Sequence, residues 1–418
     1  MPDSLDKPVA LVLGGTYPHR ELVLNLIRRG YHTILIDYLP NPSAKELADE
    51  HIQESTLDVD VVLNIAREKR AEIVISVCVD QANVTAARVS EVLGLSAPYG
   101  GDIAEAVTHK ILMKQRMLDH GIPTSRFICG SCLEDLWDHG LQYPLIIKPA
   151  DSNSSKGIQE IVNASQLPSA VAAALEISRC KELILEEFIE GSEVGVDCYI
   201  EDGQAQILIS KERRKIPQLH TAEQQIYGCF WPSDLADRHR SEFKVIAESI
   251  ARAFDLKNSP LMLQAIVNER GISVIEFGAR FGGGESFRII KLATGVDVVD
   301  LSIDCFLKRK PKLDIKTSEY YYAENFIYVQ SSVFDSVGYI NAQEQCDAVE
   351  YLHVYRKPGT LIGEKLSSNH RIGAFAVKGI DHAEVLNKLK RVIDVIEAYD
   401  TDGRAIMRKD IYAGSFDR

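Results

Sequence analysis

Basic charge, long apolar runs and clustered cysteines are all scarce in this sequence, and each shortage excludes something. Lys and Arg number 47 against 60 Asp and Glu, a formal net charge of −13. A broad nucleic-acid face needs clustered cations, so no nucleic-acid partner is expected. A small anionic ligand needs only a few local donors and is not excluded. No apolar run approaches a membrane span, and the opening MPDSLDKP carries no apolar signal core. The expectation is a cytoplasmic protein with no membrane partner. The eight cysteines are scattered, which suits a reduced compartment. One Cys-x-x-Cys occurs, Cys129 to Cys132, without the second ligand pair that zinc would need. Repeats, low-complexity tracts and long linkers are missing as well. The third glycine of a dinucleotide fingerprint is also absent. Gly14 and Gly15 follow a strand and Asp37 ends the next one, but Tyr17, Pro18 and His19 crowd the turn. A plain strand-to-helix turn is the better reading there, with a nicotinamide oxidoreductase kept as a rival.

What is present is an ordinary globular chain of 418 residues, 45% hydrophobic and 26% charged, long enough for two or three domains. PVALVLGG (8–15), HTILIDY (32–38) and EIVISVCVD (72–80) read as buried strands alternating with helices. That pattern implies a doubly wound parallel sheet over residues 1–105. From 106 the texture changes. AEAVTHKILMKQRMLDHG (104–121) has the spacing of one amphipathic helix ending at Gly121. Two hairpins follow. Asp202-Gly203 is a turn dipeptide, and Glu269-Arg270-Gly271 suits a three-residue loop closed by a left-handed glycine. The middle region therefore reads as antiparallel sheet plus helices. Residues 315–418 form a smaller α+β part, with a helix near 382–398 opened by the capping-box spacing of Asp381 and Glu384.

In the second hairpin, a three-residue loop pairs Asn268 with Ile272 and sets Gln264 opposite Glu276. Both then share a face with Gly278. An amide oxygen beside a carboxylate suits a hard cation such as Mg²⁺ bound to phosphate. A solvent-facing acid paired with a surface glutamine fits the same pattern, and the residues alone leave both open. The loop KPADSNSSKGI (148–158) places backbone amides, hydroxyls and Lys156 after a strand ending in Lys148. It can cover phosphates although it is no Walker loop. In LEEFIEGSEVGVD (185–197), an exposed strand end could bond a purine through its backbone while Phe188 and Ile189 pack on the ring and Glu193 reaches ribose. The stretch VIEFGARFGGGESFRII (274–290) sets Glu276 and Arg280 beside three bare glycines.

Taken together, in this order, these pieces resemble the ATP-grasp superfamily of carboxylate–amine ligases over roughly residues 8–300. They look closest to the branch of L-amino-acid ligases and relatives of carbamoyl-phosphate synthetase. The resemblance implies a two-lobed ATP-grasp fold with antiparallel sheets after the N-terminal domain. Residues 106–185 would be the small lobe, 186–314 the large lobe and 315–418 a C-terminal part packed on it. It implies ATP contacts from Lys110, Lys148, Ser154, Ser155, Lys156, Gly157, Glu186, Glu187, Phe188, Ile189 and Glu193. Mg²⁺, with Mn²⁺ as a substitute, would sit at Gln264 and Glu276, and Arg280 would meet the transferring phosphoryl group. Gly283, Gly284, Glu285, Ser286, Arg288 and Arg213 are candidates for reading the substrate. His220 and Arg214 are further cleft candidates, equally read as ordinary hairpin and loop residues.

The implied activity is ATP-dependent joining of a small carboxylate, an amino acid or related acid, to an amine through an acyl phosphate. A bicarbonate-dependent carboxylase of the same fold and a non-catalytic nucleotide binder are alternatives. A homodimer is left open, as are the identities of acid and amine. Three positions depart from the family pattern. His109 stands where Asp or Asn is usual, Ser154 where Gly is common, and Gly278 where a metal-binding Asn is expected.

Overall fold

In the computed structural model, residues 7–138, 140–152, 156–216, 225–340, 348–364 and 370–415 are described. They fall into two compact units. The first comprises Met1–Thr124, Gly195–Ile209 and Arg238–Thr317; the second comprises Ser125–Val194, Ser210–Asp237 and Ser318–Arg418.

The first unit opens with a parallel sheet. Its strands lie in the order Glu50–Ile52, His32–Ile36, Val9–Leu13, Ala71–Ile75. The central strand is buried from Ala10 to Leu13 because helices cover both faces, as its unbroken apolar run implies. The third sequence-predicted strand ends at Ile75, earlier than expected, and the chain turns through Cys78 at φ +54. The helix Asp80–Leu93 follows and stops at Gly94, which takes the left-handed conformation. The edge strand Glu50–Ile52 carries no apolar alternation and escaped the sequence reading.

The single helix expected over 104–121 is two, Gly101–Ala106 and Lys110–Asp119. The break falls at His109, whose extended backbone caps the second helix. Lys110 is thereby the first helical residue. A cation there opposes the helix dipole, so local helix energetics do not account for it.

The same unit holds antiparallel strands in the order Gly271–Gly278, Ser259–Asn268, and residues 195–201 and 204–209 of the strands Ser192–Glu201 and Gln204–Lys215. Asp202 and Gly203 turn between the last two with φ of +49 and +79, the doubly left-handed hairpin turn that Asp-Gly favours. The other hairpin corrects the expected register. Asn268 pairs with Gly271, not Ile272, and its Oδ1 accepts from the Arg270 N–H at 2.9 Å. A bulge then leaves Ile275 out of the pairing, so that Ala265 pairs with Val274 while Gln264 pairs with Glu276. The bulge restores the pairing that the wrong loop length had predicted.

The second unit contains a small antiparallel sheet, ordered Phe127–Gly130, Leu183–Glu187, Leu145–Pro149, Gln159–Ile161. The helix Leu167–Ile177 packs on it through Leu167, Ala170, Val171 and Ala174. Its other sheet runs from residues 210–215 through Ile226–Trp231, Tyr321–Tyr328 and Arg371–Gly379 to Val349–Val354. The helix His382–Val395 packs its Val385, Leu389, Val392 and Ile393 into that core. Asp381 Oδ1 accepts from the Glu384 N–H at 2.8 Å, so the expected cap forms, while Glu384 Oε2 reaches back to the Ile380 N–H at 2.8 Å, one residue before the N-cap.

Candidate functional site

In the first unit, Gln264 and Glu276 face each other across the hairpin, past the bulge. Their strands are otherwise largely buried, and these two side chains remain partly open, Glu276 at 34% exposure. The Lys110 ammonium stands 4.0 Å from the Glu276 carboxylate. A half-open carboxylate with a neutral amide beside it offers two hard oxygen donors, a donor set that suits Mg²⁺.

Two residues after Gly278, Arg280 leaves the strand end and folds toward Asp80. Its Nε donates to Asp80 Oδ1 at 2.8 Å, its Nη2 to Oδ2 at 2.6 Å, and its Nη1 to the Phe281 carbonyl at 3.0 Å. Burial alone would lower its pKa, but the Asp80 carboxylate more than reverses this and holds the guanidinium charged. The glycine run follows. The Gly282 N–H donates to buried Asp197 at 3.3 Å, and Gly284 takes φ +68. Glu285 is fully buried and precedes the helix Ser286–Thr294. The Ser286 hydroxyl donates to the Gly283 carbonyl at 3.0 Å. Arg288 is held between Glu285 at 3.1 Å and Glu21 at 3.2 Å.

In the second unit, Lys148 ends an apolar strand and meets Glu186 of the adjacent strand at 2.5 Å. Glu186 also accepts from the Ser125 hydroxyl at 2.8 Å. Glu187 accepts from Arg126 and from the Gln142 N–H. The Glu187 and Phe188 N–H groups donate to the Arg126 and Pro144 carbonyls. That much of the strand-end backbone is spent within the unit, whereas Phe188 and Ile189 are only half-buried. Glu193 lies 2.9 Å from both Arg213 and Lys215. Burial pushes its pKa up, but the two cations outweigh this and hold it below the usual carboxylate range. Arg214 points elsewhere. It is buried against the Tyr227 and Phe230 rings and donates to Asn325. Lys156 is exposed and Gly157 buried. Ser154, Ser155 and His220 lie outside the described residues.

The structure thus brings Lys110, Gln264 and Glu276 together, and separately Lys148 with Glu186 and Glu193 with Arg213. It ties Arg280 to Asp80, which the sequence reading missed. The available signal was the position of Asp80 just beyond a parallel strand, at the carboxyl edge where open α/β sheets bind ligands. The rival dinucleotide reading loses support. Asp37, the acid that would meet a ribose, accepts from its own Gly15 and Leu39 N–H groups at 2.7 and 2.8 Å. Pro42 also covers Gly15. Cys129 and Cys132 are both free thiols.

Comparison with known proteins gives this geometry a context. Residues 141–287 match the family model described as ATP-grasp domain. An L-arginine-specific L-amino acid ligase of Bacillus subtilis is 25% identical over 283 residues, 66% of this chain and 68% of that protein. The crystal structure of an L-amino acid ligase from Bacillus licheniformis superposes with a TM-score of 0.79 at 18% identity, covering 95% of this chain and 99% of that one. The biotin carboxylase domain dimer of Hydrogenobacter thermophilus 2-oxoglutarate carboxylase, solved with MgADP, ADP and bicarbonate, gives a TM-score of 0.77 at 17% identity, covering 95% and 91%. The expected fold class is borne out, and residues 141–287 match the domain of the expected superfamily. Among the described residues no helix is long and apolar enough to cross a membrane.

Proposed function

We propose, from the match of residues 141–287 to the ATP-grasp domain, that the chain is an ATP-dependent carbon–nitrogen ligase. It joins a small carboxylate, an amino acid or related acid, to an amine. A carboxylate oxygen attacks the γ-phosphorus of ATP, the bond to the β-phosphate oxygen breaks, and ADP leaves. The amine nitrogen then attacks the acyl carbon, the carbon–oxygen bond breaks, and phosphate departs. The amine proton passes to phosphate or solvent. Positioning and electrostatics carry most of such a reaction, so no nucleophilic side chain is needed.

The observation that carries the reading is the pairing of Gln264 with Glu276. These two would hold Mg²⁺, which would supply positive charge to a bound triphosphate. Lys110 and Lys148 meet phosphate charge, with Ser154, Ser155, Lys156 and Gly157 as the covering loop. Glu186, Glu187, Phe188 and Ile189 take the adenine and Glu193 the ribose. Arg280 stabilises the transferring phosphoryl group. The bare backbone at Gly283 and Gly284 admits the carboxylate, and Glu285, Ser286, Arg288 and Arg213 line its surroundings. The resemblance in fold to a bicarbonate-bound carboxylase domain keeps bicarbonate as the second acid to try.

The test is ADP release against a matrix of amino acids, hydroxy acids, bicarbonate and amines. Glu276→Ala should lower turnover by at least about 100-fold. A mutant as active as the wild type would refute the site, and bicarbonate-dependent ADP release without an amine would select the carboxylase.

A further inference from the structure

The residues around Gly278 bear on how many cations this site takes, given the ATP reading above. Gly278 pairs with Met262 and lies one step along the same face from the Gln264–Glu276 pair. The resemblance expects an oxygen ligand at 278, and neither residue of this row offers one. Glycine has no side chain, and a methionine thioether is a soft ligand unsuited to a hard cation. The space is taken by something else. A Cβ built on Gly278 would come within 3.3 Å of Arg280 Cγ and Cζ and 3.4 Å of its Nε. The arginine therefore lies across the position where a 278 side chain would project. Asp80 fixes it there with two bonds, and the Phe281 carbonyl adds a third. Glu285, the nearest other acid along the chain, is fully buried and bound by Arg288, so it is not poised to replace the missing ligand.

We propose that the site takes one divalent cation, at Gln264 and Glu276, and that Arg280, held over Gly278 by Asp80, supplies the positive charge a second cation would bring. A second dication would lack a protein ligand in this row and would stand against a guanidinium of like sign. Asp80 is then a positioning residue that acts through Arg280. The glycine is part of the same device, since a Cβ at 278 would crowd the arginine and oblige it to shift.

The wild-type chain is loaded with the non-hydrolysable β,γ-imido analogue of ATP, and bound Mn²⁺ is counted by electron paramagnetic resonance and in anomalous difference maps. One Mn²⁺ per nucleotide-bound chain is expected, and two would overturn the proposal. Absence of any nucleotide-dependent Mn²⁺ would overturn the ATP reading itself and this inference with it, so the two failures are distinct. Gly278→Asn supplies the missing oxygen and presses on the arginine; its count should rise to two, and a count that stays at one would contradict the role given to residue 278. Asp80→Asn should lower kcat by roughly 10- to 100-fold while KM for ATP moves little, with partial recovery in Asp80→Glu. Unchanged kcat in Asp80→Asn would remove the positioning role. The wild-type count stands even if a variant fails to fold.

Discussion

Lys148 and Glu186 meet on adjacent strands of the second unit at 2.5 Å, with side-chain exposures of 4% and 8%. In the first unit Glu276 faces Gln264, is 34% exposed, and has its lysine, Lys110, 4.0 Å away. Both arrangements put an acid and a lysine on or beside a strand pair, yet only one is closed. In the buried pair each charge is the main compensation for the other, because taking either out of water alone would cost several kcal/mol. In the open pair the carboxylate keeps access to water or an incoming cation, beside a lysine that is itself only 12% exposed. The same residue types thus form in one unit a closed pair, which a nucleotide reaching Lys148 would have to open, and in the other a receptive one.

The contrast is broken most severely at the closed pair. Lys148→Met removes the cation facing a buried carboxylate and should cost about 3–5 kcal/mol of stability. Urea unfolding checks this, and a loss under 1 kcal/mol would mean the pair behaves like a surface one. A smaller effect is expected at Glu193, the other closed acid of the second unit. Its pKa is depressed in the folded state. The stability it contributes is therefore full above its unfolded pKa and is lost as pH falls through the folded value. Glu193→Gln should cost roughly 2 kcal/mol at neutral pH. The gap between wild type and variant should close as the medium is acidified through that window. A gap independent of pH would show that the two cations are not what holds Glu193 ionised.

Much of this was legible in the sequence because the signals are local. The apolar runs at 9–13 and 32–36, the Asp202-Gly203 turn and the Asp381–Glu384 cap each depend on neighbours within a few residues. The pairing of Gln264 with Glu276 was reached through two compensating features, since the loop is shorter than expected and the bulge at Ile275 restores the count. The break before Lys110 was hidden because Val107 and the residues around it keep helical spacing. The Asp80–Arg280 contact was not legible. It joins residues 200 positions apart, and no period or turn chemistry reports such a pair. Only the location of Asp80 at a strand's carboxyl edge hinted at use.

The smallest stability effect should be at Lys110, where the contrast is sharpest. As the first residue of the helix Lys110–Asp119 it opposes the helix dipole, a penalty of about 0.3–1 kcal/mol at an exposed terminus. Its attraction to Glu276, 4.0 Å away, with Glu276 34% and Lys110 12% exposed, returns about 1 kcal/mol. The two cancel, so Lys110→Met should leave the urea midpoint nearly where it was while nucleotide-dependent turnover falls. Loss of fold stability comparable to Lys148→Met would mean that Lys110 is a structural residue and that the open pair is not open.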